Sequence, residues 1–354
     1  MRLFHTLLLA AAVALAASPP RCHPNATQVR REWQELSPSE RTDYIDALWC
    51  MRSRPSRLPN HQFPGVRDRL DDFVTTHINN TLRIHNNGLL LPWHRHFTWL
   101  WEQALRQECG YTGVQPYWNW ALYMDDLWTS PLFDNSATSL SGNGVSNAST
   151  AEHPPLCPAN LDGCLPPGHG GGCVTAGPFA NWTIHLGPFT RDWVKSYGPL
   201  PPDPWHYNPR CLNRNFRPEA LQTLNNQQRI DRMLHAPDMD AFLSVMDPGD
   251  ATRIGSHGGG HATVGGAMLD VFASPHDPTF FLHHGMVDRV WTLWQEADFP
   301  QRWDALNGTA VIYNPPDAPW VTLHTVMDFG VLDSPRRVGE VMDTRSGRYC
   351  YAYT

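Results

Sequence analysis

The chain has 354 residues, 41% hydrophobic and 17% charged, with eight cysteines and 18 histidines. Its formal net charge of −7 leaves no electrostatic footprint for nucleic acid. Beyond the first residues no apolar stretch is long enough to span a membrane.

Residues 1–17, MRLFHTLLLAAAVALAA, read as a secretory signal peptide: an Arg, an apolar run, then small residues. The expected product is a secreted, extracellular protein of net charge −8, residues 18–354 forming a single domain with no internal repeat. All eight cysteines lie in it, an even number that suggests disulfides in an exported chain, with 105 possible pairings. Sequons at Asn25, Asn79, Asn147, Asn181 and Asn307 allow N-glycosylation.

In chain order, Ser37-Pro38-Ser39-Glu40 has the capping-box order and opens a helix that should run to about Met51. A proline-rich loop follows. Gly65 to about Asn79 reads as the second helix, with Val66, Leu70, Phe73, Val74 and His77 on one face. His77 thus continues a buried stripe, which a satisfied core histidine would also explain. Pro92 opens a third helix in which His94, Phe97, Trp101 and Leu105 share a face, while His96, about 200° away, reads as a surface group or one standing behind the site. Residues 110–217 are broken by Gly and Pro and read as long loops that disulfides could hold, with short strands around Val174–His185 and Val311–His324. Helix returns from Pro218 to about Met246, interrupted at Pro237, then in a short segment over His257–Thr263, and finally from Pro278 to about Glu296.

The chemistry concentrates in SPHDPTFFLHHGMVDRVW, residues 274–291, and in HGGGH, residues 257–261. Buried imidazoles without partners cost about 1–3 kcal/mol each, and a metal is one such partner. His257 and His261 are four apart, so a helix projects both from one face, a spacing that suits two ligands on one metal. Three glycines cost such a helix about 1 kcal/mol each, so something beyond propensity must hold it: a metal clamp, or a surface packed closely against the glycines. A zinc protease would need Glu where Gly258 stands, and a lipase-type hydrolase a G-x-S-x-G elbow that the chain lacks. Neutral imidazoles suit zinc, copper, iron or nickel; two three-histidine centres with open positions suit copper and dioxygen.

His77, His85 and His94, with the surrounding LLLPWHRHFTWLWEQAL, resemble the first copper-binding motif of the tyrosinase and polyphenol oxidase family. HGGGH followed by DPTFFLHHGMVDRVW resembles the second. The likeness runs from about Arg30 to Tyr351, ending in a Tyr349-Cys350-Tyr351 that matches the family's closing tyrosine motif, and is strongest to short fungal secreted catechol oxidases. It implies a mainly α fold: a central four-helix bundle holding a dinuclear copper site, long disulfide-containing loops and a few short strands. It implies two copper ions, one on His77, His85 and His94, the other on His257, His261 and His284, the second of the adjacent pair that periodicity alone leaves unresolved. Asp288, one turn after His284, is expected to hydrogen-bond a ligand imidazole, and Phe280 to pack on the site.

Three departures bear on activity. Arg83 stands where some members carry a Cys bonded to the second histidine, so that thioether is not expected. The chain stops three residues after Tyr351, so no C-terminal lid domain is expected. Gly258, after the first copper B histidine, cannot supply the Asn with which monophenol-active members help orient a water, and Ala262 is likewise small and neutral. The resemblance therefore implies oxidation of o-diphenols (catechols) to o-quinones with reduction of O2 to water. The alternatives are a tyrosinase that also hydroxylates monophenols, an o-aminophenol oxidase, or a hemocyanin-like oxygen carrier, this last disfavoured by a small chain with no sign of carrier assembly.

Overall fold

The structure, a computed structural model, describes residues 22–23, 26–146, 155–189, 200 and 202–354. The expected signal peptide and the sequons at Asn25 and Asn147 lie outside them. Helices α1 (Pro38–Ser53), α2 (Arg69–Ile84), α3 (Leu90–Cys109), α7 (Ser256–Val264) and α8 (Thr279–Ala297) form the body. Three shorter ones, α4 (Pro218–Leu224), α5 (Gln227–Leu234) and α6 (Met239–Met246), divide the helical stretch expected over 218–246. Helices α2, α3, α7 and α8 are the four that carry the clustered histidines, and α3 packs along α8.

Local chemistry sets the helix ends. At α1, Ser37 Oγ accepts from the Glu40 N–H and the Glu40 carboxylate accepts from the Ser37 N–H at 2.8 Å. Helix α2 starts four residues later than its apolar pattern suggests, because Asp68 caps it by accepting from the Asp71 N–H. It runs on to Ile84, so His85 becomes its C-terminal cap. Pro92 lies inside the first turn of α3, where its missing N–H costs nothing, and Gly110, at φ 71°, ends that helix in the left-handed region.

The strands are short and pair in twos. β1 (Gln28–Arg30) lies parallel to β6 (Tyr351–Tyr353), tying the two ends of the described chain together beside the Cys22–Cys350 disulfide. β2 (Thr183–Ile184) pairs with β3 (Arg210–Cys211), inside the first expected strand region. No strand forms over 311–324, where a single bridge joins Thr309 to Trp320; β4 (Val326–Met327) and β5 (Arg336–Arg337) pair just beyond it.

The irregular half is pinned by covalent and ionic anchors. Cys157–Cys164 and Cys173–Cys211 close loops within it, and Cys50–Cys109 joins α1 to the end of α3. Each disulfide contributes about 2–4 kcal/mol by constraining the unfolded chain. Arg214, wholly buried, grips Asp277 with two 2.8 Å bonds and donates to the carbonyls of Leu140 and Ser141. That contact fixes the loop region to the entry of α8, which carries two of the histidines.

His96 is not at the surface. The segment after residue 326 covers that face of α3, leaving His96 wholly buried between the Asp333 carboxylate, 3.0 Å from Nε2, and the Tyr349 hydroxyl, 2.8 Å from Nδ1. Helical periodicity could not show that a distant segment lies over that face.

Candidate dinuclear metal centre

Two groups of buried histidines face each other in the middle of the bundle: His77, His85 and His94, and His257, His261, His283 and His284. The ring of His94 stacks on that of His284 at 4.2 Å, and His85 lies parallel to His257 at 6.0 Å. Helix α2 supplies His77 and, at its cap, His85; α3 supplies His94; α7 and α8 supply the rest.

Five of the rings are held by one nitrogen each. Nδ1 of His77 faces the Phe272 carbonyl at 2.7 Å, that of His85 the Thr81 carbonyl at 2.9 Å, and that of His94 the Leu90 carbonyl at 2.8 Å. Nδ1 of His261 faces the Met268 carbonyl at 2.7 Å, and that of His257 lies 3.4 Å from an oxygen of Asp247. Carbonyls and carboxylates only accept, so these five rings carry their proton on Nδ1 and present a bare Nε2. The Nε2 atoms of His77, His94 and His257 are buried with no hydrogen-bond partner among the described residues. Burial, then the neighbouring imidazoles, pushes His77, His94, His261 and His284 well below the usual histidine value, and His85 to about 4. Neutral rings with orphaned lone pairs aimed at a common centre are what a divalent metal requires.

Proximity alone does not separate His283 from His284, but their hydrogen bonding differs. The Trp120 indole, which can only donate, points its N–H at His283 Nδ1 from 3.1 Å. A neutral His283 therefore carries its proton on Nε2 and has no lone pair left for a metal. Both nitrogens of His284 are buried without partners among the described residues.

The glycines of α7 have separate structural reasons. A Cβ on Gly260 would lie 2.3 Å from the His283 ring, and one on Gly259 2.3 Å from Asn225 Oδ1 and 2.5 Å from Leu224 Cβ. The end of α4 in turn grips the start of α7: Ser256 Oγ donates to the Leu224 carbonyl at 2.6 Å and Asn225 Nδ2 to the Ser256 carbonyl at 2.8 Å. Close packing across the glycines holds this helix.

Phe280, fully buried, stands 4.2 Å from the His284 ring and 5.3 Å from that of His77. Gly258 lines a cavity of about 380 Å3 that His85, His257 and His261 share. Ala262 does not line it; its methyl packs into a separate apolar cluster with Leu165, Ala220 and Leu224. Asp288 also departs from expectation, since it touches no imidazole. Its oxygens take Arg95 Nε at 2.5 Å and the hydroxyls of Tyr351 and Tyr353 at 2.6 Å each, with Arg30 at 3.5 Å. A buried carboxylate needs cations more than it needs a neutral ring, and two arginines reach it. Burial alone would raise the Asp288 pKa, but Arg95 and Arg30 hold it below the ordinary value.

Sequence reasoning missed Asp247 and Trp120, whose hydrogen bonds orient His257 and His283. Neither stands at a helical spacing from the histidine it serves, so no periodic signal points to it.

Two facing histidine groups between four helices, opening on one cavity, define a dinuclear metalloprotein. The chain belongs to the tyrosinase family: residues 67–297 match the common central domain of tyrosinase. It is 49% identical over 360 residues to the N-acetyl-6-hydroxytryptophan oxidase ivoB of Emericella nidulans, covering 98% of this chain and 97% of that protein. It is also 49% identical to Tyrosinase P of Aspergillus terreus over the full length of both. Its fold superposes on a point variant of a polyphenol oxidase from Thermothelomyces thermophila with a TM-score of 0.85 at 39% identity, covering 95% of this chain and 91% of that one. The protein is a tyrosinase-type oxidase with two copper ions as its cofactor, and the orphaned imidazole nitrogens fit them. No described helix is long and apolar enough to cross a membrane.

Proposed function

We propose that this chain is an exported catechol oxidase, with His77, His85 and His94 holding one copper and His257, His261 and His284 the other. Copper held there would supply the redox chemistry for oxidising two o-diphenols to o-quinones while one O2 is reduced by four electrons to water. The protein's own contribution is positional: five Nδ1 anchors set the rings, and Phe280 packs against those of His77 and His284.

The observation that carries the preference for diphenols is the cavity wall beside His257. Gly258 offers no side chain, and the two carboxylates on the wall are already engaged in hydrogen bonds. Asp247 is bonded to the Asn86 N–H at 2.9 Å and to His257. Asp250 is held below the usual carboxylate range by the Thr252 N–H and hydroxyl. A diphenol, more acidic and able to meet both metals, needs less help.

A second reading is oxidation of a ring bearing one hydroxyl, favoured by the name of the ivoB relative, an oxidase of a monohydroxylated indole. Oxygen uptake by the copper-loaded chain decides between them. Prompt uptake with 4-methylcatechol and none with p-cresol is expected; prompt uptake with both would sink the preference.

Export is supported by the leader-like residues 1–17 and by the pairing of every cysteine. Asn79 and Asn181 are exposed and open to glycosylation, whereas the Asn307 amide donates to Asp240 at 2.8 Å.

A further inference from the structure

The cavity that reaches the histidines is not electrically plain. Three charged side chains line it among the described residues: Asp247, Asp250 and Arg253. The two acids are committed, Asp247 to Asn86 and His257, Asp250 to Thr252. Arg253 is not. It is exposed and forms no ion pair and no side-chain hydrogen bond with the described residues. Its charge helps to stabilise the Asp250 carboxylate, less than the Thr252 hydrogen bonds do. The adjoining start of α7 has no side-chain cap, which adds a partial positive charge to the same wall.

A guanidinium with no partner among the described residues, on the wall of a substrate cavity, is ready to hold a planar anion through two parallel N–H bonds. We propose that Arg253 is a specificity-determining residue, binding a carboxylate tethered to the phenolic ring while the ring hydroxyls meet the metals. The substrate class is thereby narrowed from catechols at large to hydroxylated aromatic acids. The inference rests on the catechol oxidase reading for its chemistry, but the anion contact stands apart from it.

The test uses the copper-loaded full chain and three diphenols: 3-(3,4-dihydroxyphenyl)propionic acid, its methyl ester, and 4-methylcatechol. The expected result is that kcat/KM for the acid exceeds that for the ester by about fivefold at low salt, the scale that an exposed, screened ion pair supports. The advantage resides in KM and shrinks as ionic strength rises. In Arg253→Gln the acid-to-ester ratio falls to near one, and Arg253→Lys keeps part of it, because charge survives and the fork does not. Equal use of acid and ester by the unaltered chain, or an unchanged ratio in Arg253→Gln, overturns the proposal. Failure to oxidise even 4-methylcatechol overturns the catechol oxidase reading instead. Calorimetry with 3-phenylpropionate against 3-phenylpropionamide then decides the anion contact by itself: tighter binding of the acid, lost in Arg253→Gln, sustains it, and equal binding ends it.

Discussion

Arg95 and Asp288 meet at 2.5 Å across α3 and α8, both buried, Arg95 directly after His94 and Asp288 one turn of helix after His284. Arg95 also donates to Thr292 and Gln295 at 3.0 Å and to the Met342 carbonyl at 2.8 Å, so one pair joins two bundle helices to the C-terminal segment. Removing one partner of a buried pair strands the other charge, so Asp288→Asn is expected to cost about 3–5 kcal/mol. Chemical denaturation of the copper-free protein measures it. If Asp288 instead oriented a ligand ring, the loss would show first as weakened copper binding with the copper-free stability little changed.

The adjacent histidines differ in a way that metal analysis can read. His284→Gln is expected to leave one tightly held copper per chain in place of two. His283→Gln, which leaves both proposed ligand sets intact, is expected to retain two. The reverse pattern would show that the Trp120 bond does not fix the proton of His283.

Gly260 is a steric requirement. A methyl there meets the His283 ring at 2.3 Å, and that ring is held from the other side by Trp120. Gly260→Ala is expected to destabilise by about 1–3 kcal/mol, as overpacking does, and to lower copper occupancy. Gly258→Asn is a gentler change, since a Cβ there meets only the flexible Ile254 side chain at 2.8 Å. It restores a side chain able to orient water beside His257, and a rise in the p-cresol to 4-methylcatechol rate ratio is the expected readout.

Glu32 supplies a pH dependence. Burial pushes its carboxyl up from 4.5 to about 7. A raised folded pKa means that the stability it contributes is complete below 4.5 and lost as pH climbs through 7. The difference corresponds to roughly 3–4 kcal/mol at most. Glu32→Gln should flatten this fall between about pH 4.5 and 8 in thermal melts; an equal fall in the variant would assign it to another group.

How much of this was legible before the fold depends on whether a residue's partner is local. Periodicity placed His77 and His94 on buried faces, and the four-residue spacing placed His257 and His261 together, because those relations live within one helix. His85 gave no periodic signal, since it is the cap of a helix whose end the apolar pattern misjudged. The pair at 283–284 could not be split within α8, because the group that distinguishes them is Trp120, 163 residues away. Asp288 was assigned a neighbour one turn back, while its actual partner, Arg95, lies 193 positions distant. Buried charges seek opposite charges wherever the fold brings them, and sequence proximity is a poor guide to that.

All eight cysteines are paired, and this matters beyond stability. An o-quinone is an electrophile that arylates thiols first and amines next. This chain exposes no thiol to it, and of its 27 basic residues only Lys195 carries an ε-amine, the others being arginines whose guanidinium stays protonated and poorly nucleophilic. The chain thus offers no thiol and a single ε-amine to the product proposed for it. Intact-mass spectra after exhaustive turnover should show adducts confined to Lys195 and the amino terminus.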